Sequence, residues 1–164
     1  MRIIEVIDYD PVWREKFEAE RKMLGQILSD VAIKIHHIGS TAVPGLAAKP
    51  IIDILMEVTS LEALDRLNPQ MISKGYEPRG EYGIAGRRYF IKGGEDRTHH
   101  IHAFARGDFN LVRHLAFRDY LRIHPRIAWE YGELKKKIAK NCRNNMERYC
   151  NGKDDFVKKS RRQP

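Results

Sequence analysis

The chain has 164 residues, 42% hydrophobic and 32% charged, which suits one globular domain over residues 1–164 with a single core. No apolar run approaches the ~20 residues that a membrane-spanning helix needs, and "MRIIEVIDYDPVW" has no secretory h-region. A formal charge of +8 favours an anionic partner, such as a nucleotide, a coenzyme or RNA, against the plainer reading of solubility.

The two cysteines, Cys142 and Cys150, form no Cys-x-x-Cys motif, so a reduced cytoplasmic setting is expected. "RIIEVI" alternates weakly and predicts an edge strand. A helix follows, with Asp10 as cap, Pro11 in its first turn, and Trp13, Phe17, Leu24 and Leu28 on its core face. "VAIKIHHI" predicts a strand with Ile33, Ile35 and His37 on one face. "IIDILMEV" predicts a central strand, apolar on both faces apart from Asp53 and Glu57.

"SLEALDRLNPQMISKG" reads as a helix opened by Ser60 and disturbed at Asn68-Pro69. "YEPRG", "RRYFIK" and "THHIHAFA" read as short strands. From Asp108 the pattern turns helical, stops at His124-Pro125 and resumes, then ends in one or two shorter helices. This order predicts α/β (or α+β) architecture, with a mixed sheet flanked by helices and a helical C-terminal third.

The chemistry concentrates in "HIGSTAVPGLAAKPIIDILMEV". It lacks the P-loop, the dinucleotide fingerprint and the nucleophile elbow. Gly39 after a strand lets a phosphate approach the backbone, and Ser40 adds a hydroxyl. Twelve residues later Asp53 stands on a strand, where a carboxylate suits Mg²⁺. The plain alternative is a turn, with Asp53 paired to Lys49 or an arginine. His100 and His102 share a strand face beside that carboxylate, and His37 is expected near the same centre. Arg88 and Lys92 share one parity, with Arg87 opposed. Asp119 and Arg122 are expected as an i,i+3 surface pair. The lysines of "ELKKKIAKNCR" read as a solvated helix face.

These motifs, with "GRRYFIK", "THHIHAF", "LAFRDYLRIHP", "YGELKKKIA" and "YCNGKDDFV" in order, resemble the GrpB family over nearly the whole chain. That family is similar to the nucleotidyltransferase superfamily. The resemblance implies a nucleotidyltransferase-like mixed sheet with the site at its end. Some relatives are fused to a dephospho-coenzyme A kinase domain, a hint of nucleotide or coenzyme metabolism. Gly39 and Ser40 match the superfamily's phosphate-binding pair, and Asp53 its first metal carboxylate. The second carboxylate should stand at position 55, where this chain has Leu55. Glu57 has the same parity but lies about 7 Å further along, at about 3.3 Å per residue. His100 and His102 stand where a third carboxylate is expected.

The resemblance therefore implies a metal-dependent nucleotidyltransferase acting on a small molecule. Asp53 and Ser40 would be catalytic. Gly39, Ser40, Lys49 and Arg88 would hold phosphate. Asp53, His100 and His102 would hold a divalent metal, Mg²⁺, Mn²⁺ or Zn²⁺. The alternative is a non-catalytic nucleotide- or coenzyme-binding module of the same fold. A nucleotide or phosphorylated small molecule is the expected partner, with nucleic acid and membrane not expected.

Overall fold

The computed structural model describes residues 5–141 and 146–161. Cys142 lies outside them, as does the start of the expected first strand; Ile7 makes one antiparallel bridge to Ala48. Helix α1 (Val12–Leu28) starts where the Val12 amide donates to Asp10 Oδ1 at 3.0 Å. Its buried stripe of Trp13, Phe17, Leu24 and Leu28 also carries Glu20, which periodicity alone did not single out. A 3-10 turn (Ser29–Val31) leads into β1 (Ala32–Ile38). A second 3-10 turn (Ser40–Ala42) and a loop lead into β2 (Ile52–Val58).

Ser60 caps α2 (Leu61–Asp65) by accepting from the Ala63 amide, and Asn68-Pro69 opens a separate helix, α3 (Asn68–Ser73). Strands β3 (Tyr76–Pro78), β4 (Arg87–Lys92) and β5 (His99–Ala105) complete the sheet. Helix α4 (Phe109–Ile123) ends before Pro125, whose fixed φ then starts α5 (Pro125–Asn141). The last segment is one helix, α6 (Met146–Arg161).

The sheet order is β1-β2-β5-β4-β3, so β2 is interior and β1 is an edge. β2 and β5 run parallel and the other pairs antiparallel. Parity on β2 sets the two layers. Ile52, Ile54, Met56 and Val58 are buried with Leu64, Met71, Phe90 and Ile101 under α1 to α3. Each such side chain contributes about 1.5–3 kcal/mol by burial. On the opposite face Leu55 packs with Ile38, Phe104 and Leu111 of α4. Helices α5 and α6 extend that layer around Leu46, Leu121, Ala128 and Tyr131, with Phe156 and Val157 against them. No described helix is long and apolar enough to cross a membrane.

The α1 face also buries a polar group. Tyr76 Oη and Lys92 Nζ each donate to Glu20 Oε1 at 2.7 Å. Burial pushes the Glu20 carboxyl up, but the Lys92 and Tyr76 hydrogen bonds outweigh it and hold the group below its ordinary value. Lys92 is thereby committed to this face, away from Asp53.

Candidate functional site

Gly39 ends β1 with φ +73° and ψ −172°, a conformation essentially reserved for glycine. This lets the Ser40–Ala42 turn fold back across the end of the sheet. Register then does the assembling. Asp53 on β2 pairs with Ile38 on β1 and with His100 on β5, and Leu55 pairs with His102. Asp53, His100 and His102 therefore project from one face of two parallel strands. His100 Nδ1 and His102 Nε2 each lie 3.5 Å from Asp53 Oδ1. Burial pushes the Asp53 carboxyl up; His100 and His102 outweigh that effect and hold it well below the usual carboxylate range.

These side chains form the sheet wall of a cavity of about 520 Å³. Gly39, Ser40 and Lys49 line it as well. Six of the seven expected site residues are thus brought together. Arg88 is the exception. Its guanidinium forms a bidentate pair with Asp65, at 2.8 and 3.1 Å, on the α1 side of the sheet. One residue of parity makes the difference. Arg87 faces the histidines, donating to the Tyr82 and Glu81 carbonyls and approaching His102 Nδ1 at 3.3 Å.

Two further expectations are corrected. Arg122 does not pair with Asp119: its Nε donates to the Ala42 carbonyl, and Asp119 takes Arg118 at 2.8 Å. His37 does not join Asp53's face. It is buried on the other face, stacked on Phe17 at 4.7 Å, with Nε2 2.9 Å from Thr41 Oγ1. Burial pushes His37 down to about 4. Between that value and the ordinary 6.5, the unfolded chain holds a proton that the folded chain does not, so stability rises with pH across the window. Urea titrations at pH 7 and pH 5 are expected to differ by about 2 kcal/mol from this group. The difference should vanish in His37→Gln; an unchanged difference would assign it to other groups.

The helices supply what sequence reasoning missed. Lys135 of α5 and Lys153 of α6 line the cavity opposite the sheet, as do Tyr131 and Tyr149. Lys135 is 2% exposed and makes no hydrogen bond or ion pair among the described residues. Its Nζ lies 4.8 Å from the Tyr131 ring centre, while Lys49 and Lys153 flank the Tyr149 ring at 4.8 and 5.1 Å. Burial, then the charges of Lys153 and Lys49, hold Lys135 well below the ordinary lysine value. A signal was present in the chain. Ala128, Tyr131, Gly132 and Lys135 recur at i, i+3, i+4 and i+7, so Lys135 sits on the buried stripe rather than the solvated face.

The donor set around Asp53 bears on a metal. Two ligand atoms each about 2.1 Å from a tetrahedral ion stand about 3.4 Å apart, close to the 3.5 Å found. The second sphere does not fit a metal bound through the imidazoles. Arginine only donates, so Arg87 against His102 Nδ1 leaves the ring's proton on Nε2, facing Asp53. His100 Nε2 is buried with no hydrogen-bond partner among the described residues, where a metal-bound histidine ordinarily donates its second N–H.

A family model described as GrpB protein matches residues 3–163. The chain belongs to the GrpB family. This GrpB chain is 50% identical over 157 residues to UPF0157 protein YqkA of Bacillus subtilis, covering 96% of the chain and 46% of that relative. It therefore spans about half of YqkA's length. A crystal structure of the conserved protein GrpB from Enterococcus faecalis matches with TM-score 0.92 and 47% identity, over 96% of this chain and 94% of that one. A cytoplasmic RNA terminal U-transferase matches with TM-score 0.55 and 15% identity, over 79% of this chain and 40% of that one. That distant likeness extends to the fold alone: a five-stranded mixed sheet flanked by helices, shared with nucleotidyltransferases.

Proposed function

We propose that the cavity between the sheet and helices α5 and α6 binds the polyphosphate of a nucleotide. Lys135 carries this reading. An unpaired lysine buried at 2% exposure is costly to the fold, and a polyphosphate is a ligand that would offset its charge. Ser40 makes no side-chain hydrogen bond among the described residues and so stays available to a phosphate oxygen. Tyr131 and Tyr149 supply aromatic walls. In this reading His100 and His102 hydrogen-bond Asp53 and keep it ionised.

Nucleotidyl transfer to a small-molecule acceptor is the second reading, favoured by the position of Asp53 beside Gly39 and Ser40. Calorimetry with ATP, GTP, CTP and UTP in the presence of Mg²⁺ or Mn²⁺ tests binding, and pyrophosphate release across an acceptor panel tests transfer. Lys135→Met is expected to weaken triphosphate binding at least tenfold while raising stability by about 1 kcal/mol, because methionine fills the site without a buried charge. Full affinity in a folded Lys135→Met variant would sink the reading. Mn²⁺ and Zn²⁺ titrations of His100→Ala and His102→Ala address the metal separately. Affinity that falls in both variants would return the imidazoles to a metal set.

A further inference from the structure

A second cavity, of about 680 Å³, runs along the free edge of β1 between α1 and α4. Four arginines line it, Arg14 and Arg21 from α1 and Arg118 and Arg122 from α4, against one acid, Glu18. Two of the four charges are answered locally. Arg21 pairs with Glu18 at 2.8 Å, and Arg118 pairs with Asp119 at 2.8 Å. Arg14 and Arg122 have no carboxylate partner among the described residues. Arg122 and its neighbour Arg118 are held in place, whereas Arg14 is exposed on α1. Arg122 Nε is anchored on the Ala42 carbonyl at 3.0 Å, and Arg118 Nη1 on the His37 carbonyl at 3.2 Å. Burial and the nearby Arg118 guanidinium hold Arg122 below its ordinary value, and Arg14 adds to the effect.

Charge at an edge strand ordinarily blocks pairing with another strand. Shielding alone explains the Arg118 contact with the edge carbonyl. It does not explain two guanidinium groups without carboxylate partners among the described residues lining one open cleft. The volume lies in the range of small-ligand sites, and Tyr9, Phe17 and Pro44 supply apolar walls. A guanidinium fork matches a phosphate's oxygens bidentately, and two forks match a dianion. We propose that this cleft is a second anion site, taking the phosphate group of a phosphorylated small molecule between Arg14 and Arg122. Thr41 lines both cavities, so the Ser40–Ala42 turn is the wall between their occupants. The assignment stands apart from the nucleotide reading of the Asp53 cavity.

The test uses inorganic phosphate as probe, with binding followed at the arginine Nε–Hε signals by ¹⁵N NMR. Saturable shifts are expected at Arg14 and Arg122, and they should persist in Lys135→Met/Lys153→Met, which disables the other cavity. Arg14→Gln is expected to weaken the Arg122 response at least tenfold, with the thermal unfolding midpoint little changed. A response at Arg122 that survives Arg14→Gln unchanged would overturn the proposal. So would shifts spread evenly over all surface arginines without saturation, or no arginine shift at all. In those outcomes the arginines serve only to shield the β1 edge. Phosphate lost from the lysine cavity alone would instead count for the nucleotide reading and against the cleft.

Discussion

Leu55→Asp is expected to unfold the protein at neutral pH or to cost it about 4 kcal/mol or more. The substitution would complete the Asp-x-Asp pattern of the superfamily that the chain resembles, and the fold has no room for it. Leu55 is fully buried against Ile38, Phe104 and Leu111, beneath α4. It does not line the Asp53 cavity, so a carboxylate there would be desolvated without reaching a phosphate. Glu57, on the same face, does not line the cavity either. The second carboxylate is thus not merely missing: its place is part of the core. Urea unfolding of Leu55→Asp beside Leu55→Met separates charge from volume, since the methionine variant should lose less than about 1.5 kcal/mol. A Leu55→Asp protein as stable as the wild type would show that α4 lifts from the sheet and that the position is available to a ligand.

Gly39→Ala is expected to lower stability by about 1–3 kcal/mol from backbone strain alone. Its φ of +73° with ψ of −172° disfavours any residue with a Cβ. The second effect is local. An alanine Cβ at this position would stand 2.7 Å from Asp53 Oδ2 and 3.1 Å from Asp53 Cβ. The carboxylate must move, and its contacts with His100 and His102 move with it. A double-mutant cycle measures the link. Gly39→Ala should cost less stability in an Asp53→Ala background, because half of the clash is gone. Equal costs in the two backgrounds would mean that strain, and not Asp53, is what the glycine relieves.

Much of the architecture was legible because it follows from local rules. The stripe of α1, the Ser60 cap, the break at Asn68-Pro69 and the stop before Pro125 all come from neighbouring residues. The parity of "THHIHAF" put His100 and His102 on one face, and the sheet register set both beside Asp53. Parity also separated Arg87 from Arg88, but a single strand does not say which of its faces meets the site. That choice belonged to the partners: Asp65 on α2 took Arg88, and Glu20 on α1 took Lys92.

The sequence by itself determined the elements, their order, the glycine at the end of β1 and the acid on β2. It did so because caps, prolines and hydrophobic periods act over a few residues. Tertiary structure decided which charges face the cavity. "ELKKKIAK" looks like solvated helix in isolation, yet packing α5 against the loop before β2 buries Lys135 and leaves Lys136 to pair with Asp8. Gly132 permits that packing, because a Cβ there would meet the Ala47 amide nitrogen at 3.3 Å. His37 and Arg122 were redirected in the same way, one onto Phe17 and the other onto the Ala42 carbonyl. A charged side chain has no preferred face until its neighbours exist. Its position is set by burial and by partners that lie far away in the chain, and only the folded chain brings those together.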